Sequence, residues 1–426
     1  MADLRDYSGK FRSKLKLTDF DKEALIRLWH VSGKNYAGRV GHWYRFLRER
    51  FDERTAHDIA WAIWMDTSRA LNTETRRVAE AMNIQDRNVA GFLKFLQWDP
   101  AQQGIIDTHC ELVDNNPYHG IATISRCWVV DSAEVKEPGF LLDICDSCLY
   151  GYEECARWYN PYIKTVCFKL PPRRSKEDIC CQWEFFVPGK VERVEVASWQ
   201  KYCGPELKDY SGQFLSGMNT DETAKNFSKE TFARVIEAGG MLYTGIDGMY
   251  IAACQAKWGG EIAFKLDAEL WRQTVGTDVS RVRRALNIQG EDVEALFKCY
   301  QFMPGIIGKM PEVEYSLKSK NEGILTVRRC RSLNYCVKHG WSALQRHLCE
   351  VVDVEGFQNT ARMVNPDIKA TPLKLPKHLR ICEDLWKEEK ITRPDRCKAV
   401  AKQLRNDSDL PGLSPIACQW AFKLEA

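Results

Sequence analysis

Apolar residues recur along the first hundred positions with the period of an amphipathic helix. From Asp21 to about Arg50 they fall on one helical face, and the small residues at 32–33 predict a break in that helix. Further helices are predicted over residues 55–70, 72–82 and 87–98. The same pattern returns over residues 229–302, so each half of the chain is expected to begin with a group of helices.

β-Branched residues in partial alternation replace the helical pattern after Pro100. Residues 121–130 predict a strand, and residues 107–113 predict its hairpin partner. A helix is predicted from Asp143 to Tyr159, because Asn160-Pro161 cannot continue it. Two more strands are predicted over residues 163–170 and 180–187. The expected fold class is therefore α+β, with a helical cap followed by a small β-β-α-β-β layer.

Short blocks of the first half return in the second half in unbroken order. Residues 4–9 (Leu-Arg-Asp-Tyr-Ser-Gly) return as residues 207–212 (Leu-Lys-Asp-Tyr-Ser-Gly). Other repeated blocks are Asn83-Ile84-Gln85 with Asn287-Ile288-Gln289, Arg126-Cys127 with Arg329-Cys330, Asn160-Pro161 with Asn365-Pro366, and Cys181-Gln182-Trp183 with Cys418-Gln419-Trp420. Such an ordered series rarely arises by chance, so the sequence predicts two tandem copies of one domain. Symmetry favours their packing as an internal pseudo-dimer.

The repeated blocks also predict the domain boundaries. The first repeat would cover residues 1–190, with a helical cap at 17–100 and a cysteine-rich α+β part at 101–190. A linker at residues 191–206 would join it to the second repeat, residues 207–426. That repeat would have a helical cap at 207–304 and an α+β part at 305–426, with a charged insertion at about 377–415.

The composition is that of an ordinary globular protein. The chain has 426 residues, 44% of them hydrophobic and 28% charged, and a net charge of +3, which does not favour nucleic acid as a partner. No apolar run approaches the roughly 18 residues that cross a membrane, and the polar start of the chain does not resemble a secretory signal. We therefore expect a cytoplasmic protein with a small-molecule substrate, and a homo-oligomer is compatible with this composition. Phosphate-binding loops, dinucleotide fingerprints and serine nucleophile elbows do not occur in the sequence.

Seventeen cysteines are the most unusual feature of the composition, and in a cytoplasmic chain they are expected to be reduced thiols. Three of them recur at matching places: Cys127 with Cys330, Cys145 with Cys349, and Cys181 with Cys418. If the predicted elements bring these thiols to one end of a sheet, they could bind zinc or iron. A cysteine nucleophile and buried structural thiols are the alternatives.

Further candidate residues belong to the first half alone. Cys148 forms a Cys-x-x-Cys pair with Cys145 at the expected start of a helix, where thiol pKa values fall. With this pair included, the predicted metal ligands are Cys127, Cys145, Cys148 and Cys181. An iron–sulfur cluster is the alternative cofactor. Glu153, Glu154 and Glu184 could carry protons, and Arg157 could hold a substrate carboxylate. Gln358, Asn359 and Ala421 stand near the three glutamate positions in the second half.

The repeated motifs resemble those of an uncharacterised bacterial and archaeal family, common in anaerobes, that is related to L-2-amino-thiazoline-4-carboxylic acid hydrolase. The resembling motifs are Arg-Cys, a cysteine at the helix start, Gly-aromatic…Ala-Arg-x-x-Asn-Pro-x-Ile-Lys, and a final Cys-Gln-Trp-x-Phe. Two further motifs of that family occur in the first half, at Cys167 to Pro172 and in the Trp-Glu-Phe of residues 183–185. The second half departs from the family pattern at both places. The resemblance implies an α+β fold with a cysteine-centred site that hydrolyses a small heterocyclic or amide-like substrate.

Three functions remain open at this point. The favoured hypothesis is a hydrolase of C–N or C–S bonds in the first half, with Cys145, Glu153, Glu184 and Arg157 as catalytic residues and a degenerate second half. The alternatives are a metallocluster redox protein and a non-catalytic protein that binds small molecules.

Overall fold

The computed structural model is α+β, with helices and two four-stranded antiparallel sheets. It describes residues 3–64, 69–131, 140–190, 206–216, 223–307, 311–330, 332–333, 347–376 and 417–425. The chain divides into two compact units. Unit 1 contains Met1–Arg5 and Lys16–Tyr250, and unit 2 contains Asp6–Leu15 and Ile251–Ala426.

Unit 1 begins with four helices: α1 (Lys22–Arg50), α2 (Glu53–Trp64), α3 (Arg69–Met82) and α4 (Val89–Leu96). The predicted break at residues 32–33 was wrong, because α1 runs through it without interruption. A Cβ on Gly33 would lie 2.5 Å from the backbone oxygen of Gln103 and 3.0 Å from that of Pro100. The glycine therefore allows a loop to approach an intact helix, rather than ending the helix.

The sheet of unit 1 follows these helices. Its elements are β1 (Ile106–Leu112), β2 (His119–Cys127), helix α5 (Phe140–Tyr159), β3 (Lys164–Lys169) and β4 (Cys181–Phe186). The strands pair in the order β1-β2-β4-β3. The predicted hairpin and both later strands are thus confirmed, but β2 ends at Cys127 rather than at residue 130 and a helical turn occupies residues 128–131.

Helix α6 (Lys229–Trp258) begins in unit 1, and its residues after Tyr250 belong to unit 2. Unit 2 continues with α7 (Gly260–Ala285), α8 (Val293–Tyr300), β5 (Pro311–Ser319), β6 (Glu322–Cys330), a π-helical turn (His347–Val352), α9 (Asp353–Val364), β7 (Ile368–Lys374) and β8 (Cys418–Leu424). Its strand order, β5-β6-β8-β7, follows the same scheme as that of unit 1. The insertion predicted at about 377–415 and the linker predicted at 191–206 fall almost wholly outside the described residues.

Two short segments account for the discontinuous make-up of the units. In unit 2, the Tyr7 N–H donates to the Leu286 carbonyl at 2.7 Å, and the Lys298 ammonium donates to the Gly9 carbonyl at 2.6 Å. In unit 1, residues 207–216 make the matching contacts: Tyr210 N–H to Met82 O at 2.7 Å, and Lys94 Nζ to Gly212 O at 2.6 Å. Each repeated Asp-Tyr-Ser-Gly segment therefore packs on helices that belong to the other half of the sequence.

The repeated Asn-Ile-Gln motif ends a long helix in each unit. Asn83 follows α3 with φ 55°, and Asn287 follows α7 with φ 50°. Asparagine tolerates this left-handed conformation better than most side chains, since its short amide can bond locally. The motif therefore marks a helix end rather than a chemical site.

Candidate functional site

A β-bulge in β2 decides which way Cys127 faces. Asp107 pairs with Arg126, but the next residue, Thr108, pairs with Ile124, so Ser125 is an extra residue in the strand. Side chains alternate across a strand, and one extra residue therefore returns Cys127 to the buried face that holds Ile124. Ile124 is the direct partner of Cys181 in β4. The bulge thus brings the two thiols onto one face of the sheet.

Backbone amides surround the Cys127 thiol, which lies just before the helical turn at residues 128–131. Burial raises the pKa of Cys127, and hydrogen bonds from the backbone N–H groups of Val130 and Val129 act in the opposite direction. The Arg173 guanidinium also favours the thiolate, although Asp131 opposes it. These amides and the guanidinium only partly offset the effect of burial, so the pKa of the Cys127 thiol stays above its ordinary value.

Cys181 opens β4 on the face that packs against helix α5. Trp183 and Phe185 on this face are fully buried, and the Tyr152 ring of α5 packs edge-on against both, with centroids 5.1 and 6.0 Å away. The Trp183 indole N–H donates to the Cys181 Sγ at 3.1 Å. The aromatic residues therefore fix the position of this thiol and supply a hydrogen-bond donor to it.

Three thiols of the first half act electrostatically on the hydroxyl of Tyr152. Desolvation raises the pKa of its hydroxyl well above 10, and the neighbouring Cys148, Cys181 and Cys127 raise it further. Cys148 lies one turn before Tyr152 on α5 and is exposed, whereas Cys127 and Cys181 are half-buried. We call Cys127, Cys148 and Cys181 the thiol cluster. It is closed on the side of the sheet and accessible at Cys148.

Cys145 does not lie at a helix start, contrary to the prediction from the sequence. Helix α5 already begins at Phe140, so Cys145 and Cys148 lie beyond its first turn and away from the free N–H groups of a helix start. The side chain of Cys145 is outside the described part of the structure. Its backbone lies almost one turn before Cys148 on the same helix.

Glu153 and Arg157 form a surface ion-pair group on α5. Arg157 donates to Glu153 at 3.1 Å and to Glu154 at 2.6 Å, and its side chain is 51% exposed. Tyr152 and Cys155, by contrast, lie on the side of the helix that meets the sheet and the other helices. The structure therefore does not bring Glu153, Glu154 or Arg157 together with the thiol cluster.

Glu184 is also separated from the cluster. It lies between Trp183 and Phe185 in β4, and alternation places it on the opposite face of the sheet from Cys181. There its Oε1 lies 2.7 Å from the His119 Nε2. Strand alternation alone would have indicated this separation, because residues three apart on the predicted strand 180–187 lie on opposite faces of a sheet.

Cys155 and Cys180 are buried, Cys167 is half-buried in β3, and burial raises the pKa of all three. Within the residues that the structure describes, no three Cys, His, Asp or Glu side chains come together in a geometry that would hold a metal ion.

The second half has a related but more enclosed arrangement. A bulge at Arg328 places Cys330 on the face of Val327, whose partner in β8 is Cys418. The Leu333 N–H donates to the Cys330 Sγ at 3.5 Å, and burial raises the pKa of this thiol to about 11. The nearby carboxyl is Asp353, whose pKa burial and Asp267 raise to about 7.

Comparison with known proteins identifies one similarity. Residues 225–390, less than half of the chain, match a Family of unknown function (DUF6125). No curated protein and no solved structure matches the chain. None of the helices in the described part of the chain combines the length and the apolar composition needed to cross a membrane.

Proposed function

We propose that the first half contains a thiol-dependent hydrolase site that cleaves a C–N or C–S bond in a small cyclic or amide-like substrate. The observation that carries the proposal is that Cys127 and Cys181 share one face of the sheet, and that Tyr152, one helical turn after the exposed Cys148, packs on this face. The resemblance of the sequence motifs to relatives of L-2-amino-thiazoline-4-carboxylic acid hydrolase suggests the substrate class. We also propose that the chain arose by tandem duplication, which the shared strand order and the two equivalent bulges support.

Cys148 is the proposed nucleophile, since it is the exposed thiol of the cluster. Its sulfur attacks the electrophilic carbon of the substrate, the carbon–nitrogen bond breaks, and the thiol proton ends on the leaving nitrogen. Water then adds to the same carbon, the carbon–sulfur bond to the enzyme breaks, and the sulfur regains a proton. The net change is the addition of one water molecule, so no oxidant or reductant is needed.

The other residues of the cluster would position and polarise the substrate. Because the pKa of Tyr152 is raised, its phenol remains protonated at neutral pH and can donate a hydrogen bond to the leaving atom. The amides at Cys127 and the Trp183 indole near Cys181 add donors around the developing negative charge. In the second half Val352 or Asp353 stands near the position of Cys148 and Phe357 near that of Tyr152, which favours a structural role for that half.

A panel of thiazoline carboxylates and small cyclic amides tests the proposal. The Cys148→Ser variant should lose at least about a thousandfold in turnover, as is usual when a nucleophile is removed. Cys330→Ser is the matched control and should retain turnover. If Cys148→Ser remains active while Cys145→Ser is inactive, the nucleophile is the first thiol of the pair; activity in both variants would reject the thiol mechanism.

Metal analysis of anaerobically purified protein separates the remaining mechanisms. One zinc or iron per chain without acid-labile sulfide would replace the thiol nucleophile with a metal-activated water molecule. Iron together with sulfide would move the protein to the redox class. The thiol mechanism predicts that turnover survives exhaustive treatment with a chelator.

A further inference from the structure

One edge strand of each sheet has the same place and the same register in its unit. The strand β3 lies at one edge of the sheet of unit 1, and β7 lies at the corresponding edge in unit 2. Thr165 of β3 pairs with Phe185 of β4. Ala370 of β7 pairs with Phe422 of β8, at the equivalent place in the repeated Cys-Gln-Trp-x-Phe motif. Backbone groups that point away from the sheet in β7 therefore have counterparts that point away from it in β3.

The outer edge of β7 is closed by side chains of its own unit. The Gln358 side chain of α9 donates to the Ile368 carbonyl at 3.0 Å and accepts from the Ala370 N–H at 3.0 Å. Alternation along the strand brings residue 372 to the same edge, and Pro372 has no N–H to donate there. The glutamine and the proline together leave this edge with little for another strand to bind.

Glutamate replaces the closing glutamine beside β3. Glu153 of α5 stands at the position of Gln358, and its carboxylate accepts from the Arg157 guanidinium at 3.1 Å. An ionised carboxylate cannot donate to a carbonyl group, so it cannot close the edge as the glutamine amide does. Within the described part of unit 1, no side chain hydrogen-bonds to the Ile163 carbonyl or to the Thr165 N–H.

The open backbone groups of β3 form a self-complementary set. Cys167 stands at the position of Pro372 and keeps its N–H, so the described open groups include the carbonyls of Ile163 and Thr165 and the N–H groups of Thr165 and Cys167. A two-fold axis at Thr165 would pair this residue with its own copy. The same axis would align the Cys167 N–H of one copy with the Ile163 carbonyl of the other. Each open donor would thus meet an open acceptor.

The side chains along β3 also fit a second copy. Val166 is 38% exposed, Phe168 is 55% exposed, and Tyr162, just before the strand, is 71% exposed. In the two-fold register Lys164 would lie opposite Val166, so the lysines of the two copies would not face each other. Phe168 of one copy would lie beside Tyr162 of the other, and such cross-strand aromatic pairs stabilise a sheet. An exposed apolar edge of this kind is a template for pairing with another chain.

We propose that β3 is a dimerisation edge, which pairs antiparallel with β3 of a second copy about a two-fold axis at Thr165. The pairing joins the four-stranded sheets of unit 1 from two copies into one continuous sheet. This dimer forms whether or not the thiol cluster is a hydrolase site. A single strand edge buries less than the roughly 800 Å² per partner of a standard interface, so the dimer should dissociate on dilution.

Sedimentation velocity of the full chain between about 1 μM and 1 mM measures the association. Glu153→Gln should close the edge as Gln358 does, and Cys167→Pro should remove a donor, as Pro372 does in β7. Each variant removes at least two symmetry-related hydrogen bonds and should weaken the dimer about tenfold or more.

Glu154→Gln is the matched control for these variants. Glu154 is the next residue of α5, accepts from the same Arg157 at 2.6 Å and loses the same charge when it is replaced. Its dimerisation should equal that of the wild type. If Cys167→Pro fails to fold, Glu153→Gln, an isosteric change at a partly exposed site, decides the test.

Hydrogen exchange of peptides that cover residues 162–169, followed by mass spectrometry, locates the interface. In the wild type the amides of Thr165 and Cys167 should exchange more slowly as the protein concentration rises, and in Glu153→Gln their exchange should not depend on concentration. A monomer at every concentration would overturn the dimer and leave the edge to an extended peptide of another protein. A dimer that persists in both variants, or that protects only other segments, would overturn the role of β3.

Discussion

Replacing Glu74 by glutamine should change how the stability of the protein depends on pH. Glutamine has the shape of glutamate, its Oε1 can still accept the Tyr36 hydroxyl, and its amide can donate to Asp99. The substitution therefore removes a titrating proton with little change in packing. Its effect should come from proton binding rather than from a cavity in the core.

Burial raises the pKa values of Glu74 and Asp99, a buried pair of carboxyl groups, and this sets the direction in which stability changes with pH. Unfolded glutamate and aspartate release their protons by about pH 5, whereas the folded pair keeps one. The folded chain then binds more protons than the unfolded chain, so stability is fully present at low pH and falls as pH rises toward the folded pKa. One extra proton costs about 1.4 kcal/mol per pH unit, or about 3 kcal/mol between pH 6 and pH 8.

Urea unfolding at pH 6, 7 and 8 measures this difference directly. The free energy of unfolding of the wild type should fall relative to that of Glu74→Gln by up to about 3 kcal/mol over this interval. Glu80→Gln, exposed on the same helix, should remain parallel to the wild type. Parallel curves for Glu74→Gln as well would refute the claim that the folded pair retains a proton.

Four further substitutions test the packing within each unit. Tyr210→Phe removes one donated and one accepted hydrogen bond of 2.6 and 3.1 Å, and should lower the free energy of unfolding by about 1–3 kcal/mol. Tyr7→Phe removes an equivalent pair, both of 2.9 Å, and should cost a similar amount; a loss in only one of the two variants would argue that the segments are not equivalent. Gly33→Ala places its Cβ 2.5 Å from a backbone oxygen and should destabilise by about 1–3 kcal/mol in thermal unfolding. Gly245→Ala, in a helix with open space around the site, should instead stabilise by up to about 1 kcal/mol, and a loss there would point to a contact that the structure lacks.

The periodic pattern of the sequence predicts most of the secondary structure. The hairpin partner expected over 107–113 is β1, Ile106–Leu112, and the strand expected over 180–187 is β4, Cys181–Phe186. These elements are predictable because their burial follows the local period of two or 3.6 residues. The helix break predicted at Gly33 is wrong, because this glycine is needed for the close approach of Gln103, which lies seventy residues away in sequence.

The site is less predictable than the fold, since it depends on which faces meet. Recurrence of cysteines identifies Cys127 and Cys181, but only the bulge at Ser125 shows that they share a face. Glu184 follows Cys181 by three residues and therefore faces away from it, which the alternation of the predicted strand already indicates. Tyr152 resembles any other core aromatic residue in sequence.

Glu74 and Asp99 lie on different helical elements and are joined only by the tertiary structure. A clue was present in the sequence, because Met303 stands in the second half where Asp99 stands in the first. A charged residue replaced by an apolar one at a matched position indicates a group that only one half uses. The same comparison singles out Cys148 and Tyr152, so the differences between the two halves of the sequence are more informative about function than their identities.

The most direct test of the central claim is to locate the covalent intermediate. The protein would be mixed with a panel substrate, quenched in acid during turnover, digested and mapped by mass spectrometry. The thiol mechanism predicts a substrate-derived acyl group on Cys148, absent from Cys148→Ser and present in Cys330→Ser. An adduct on a second-half cysteine, or turnover that continues without any adduct in the Cys148→Ser variant, would contradict it.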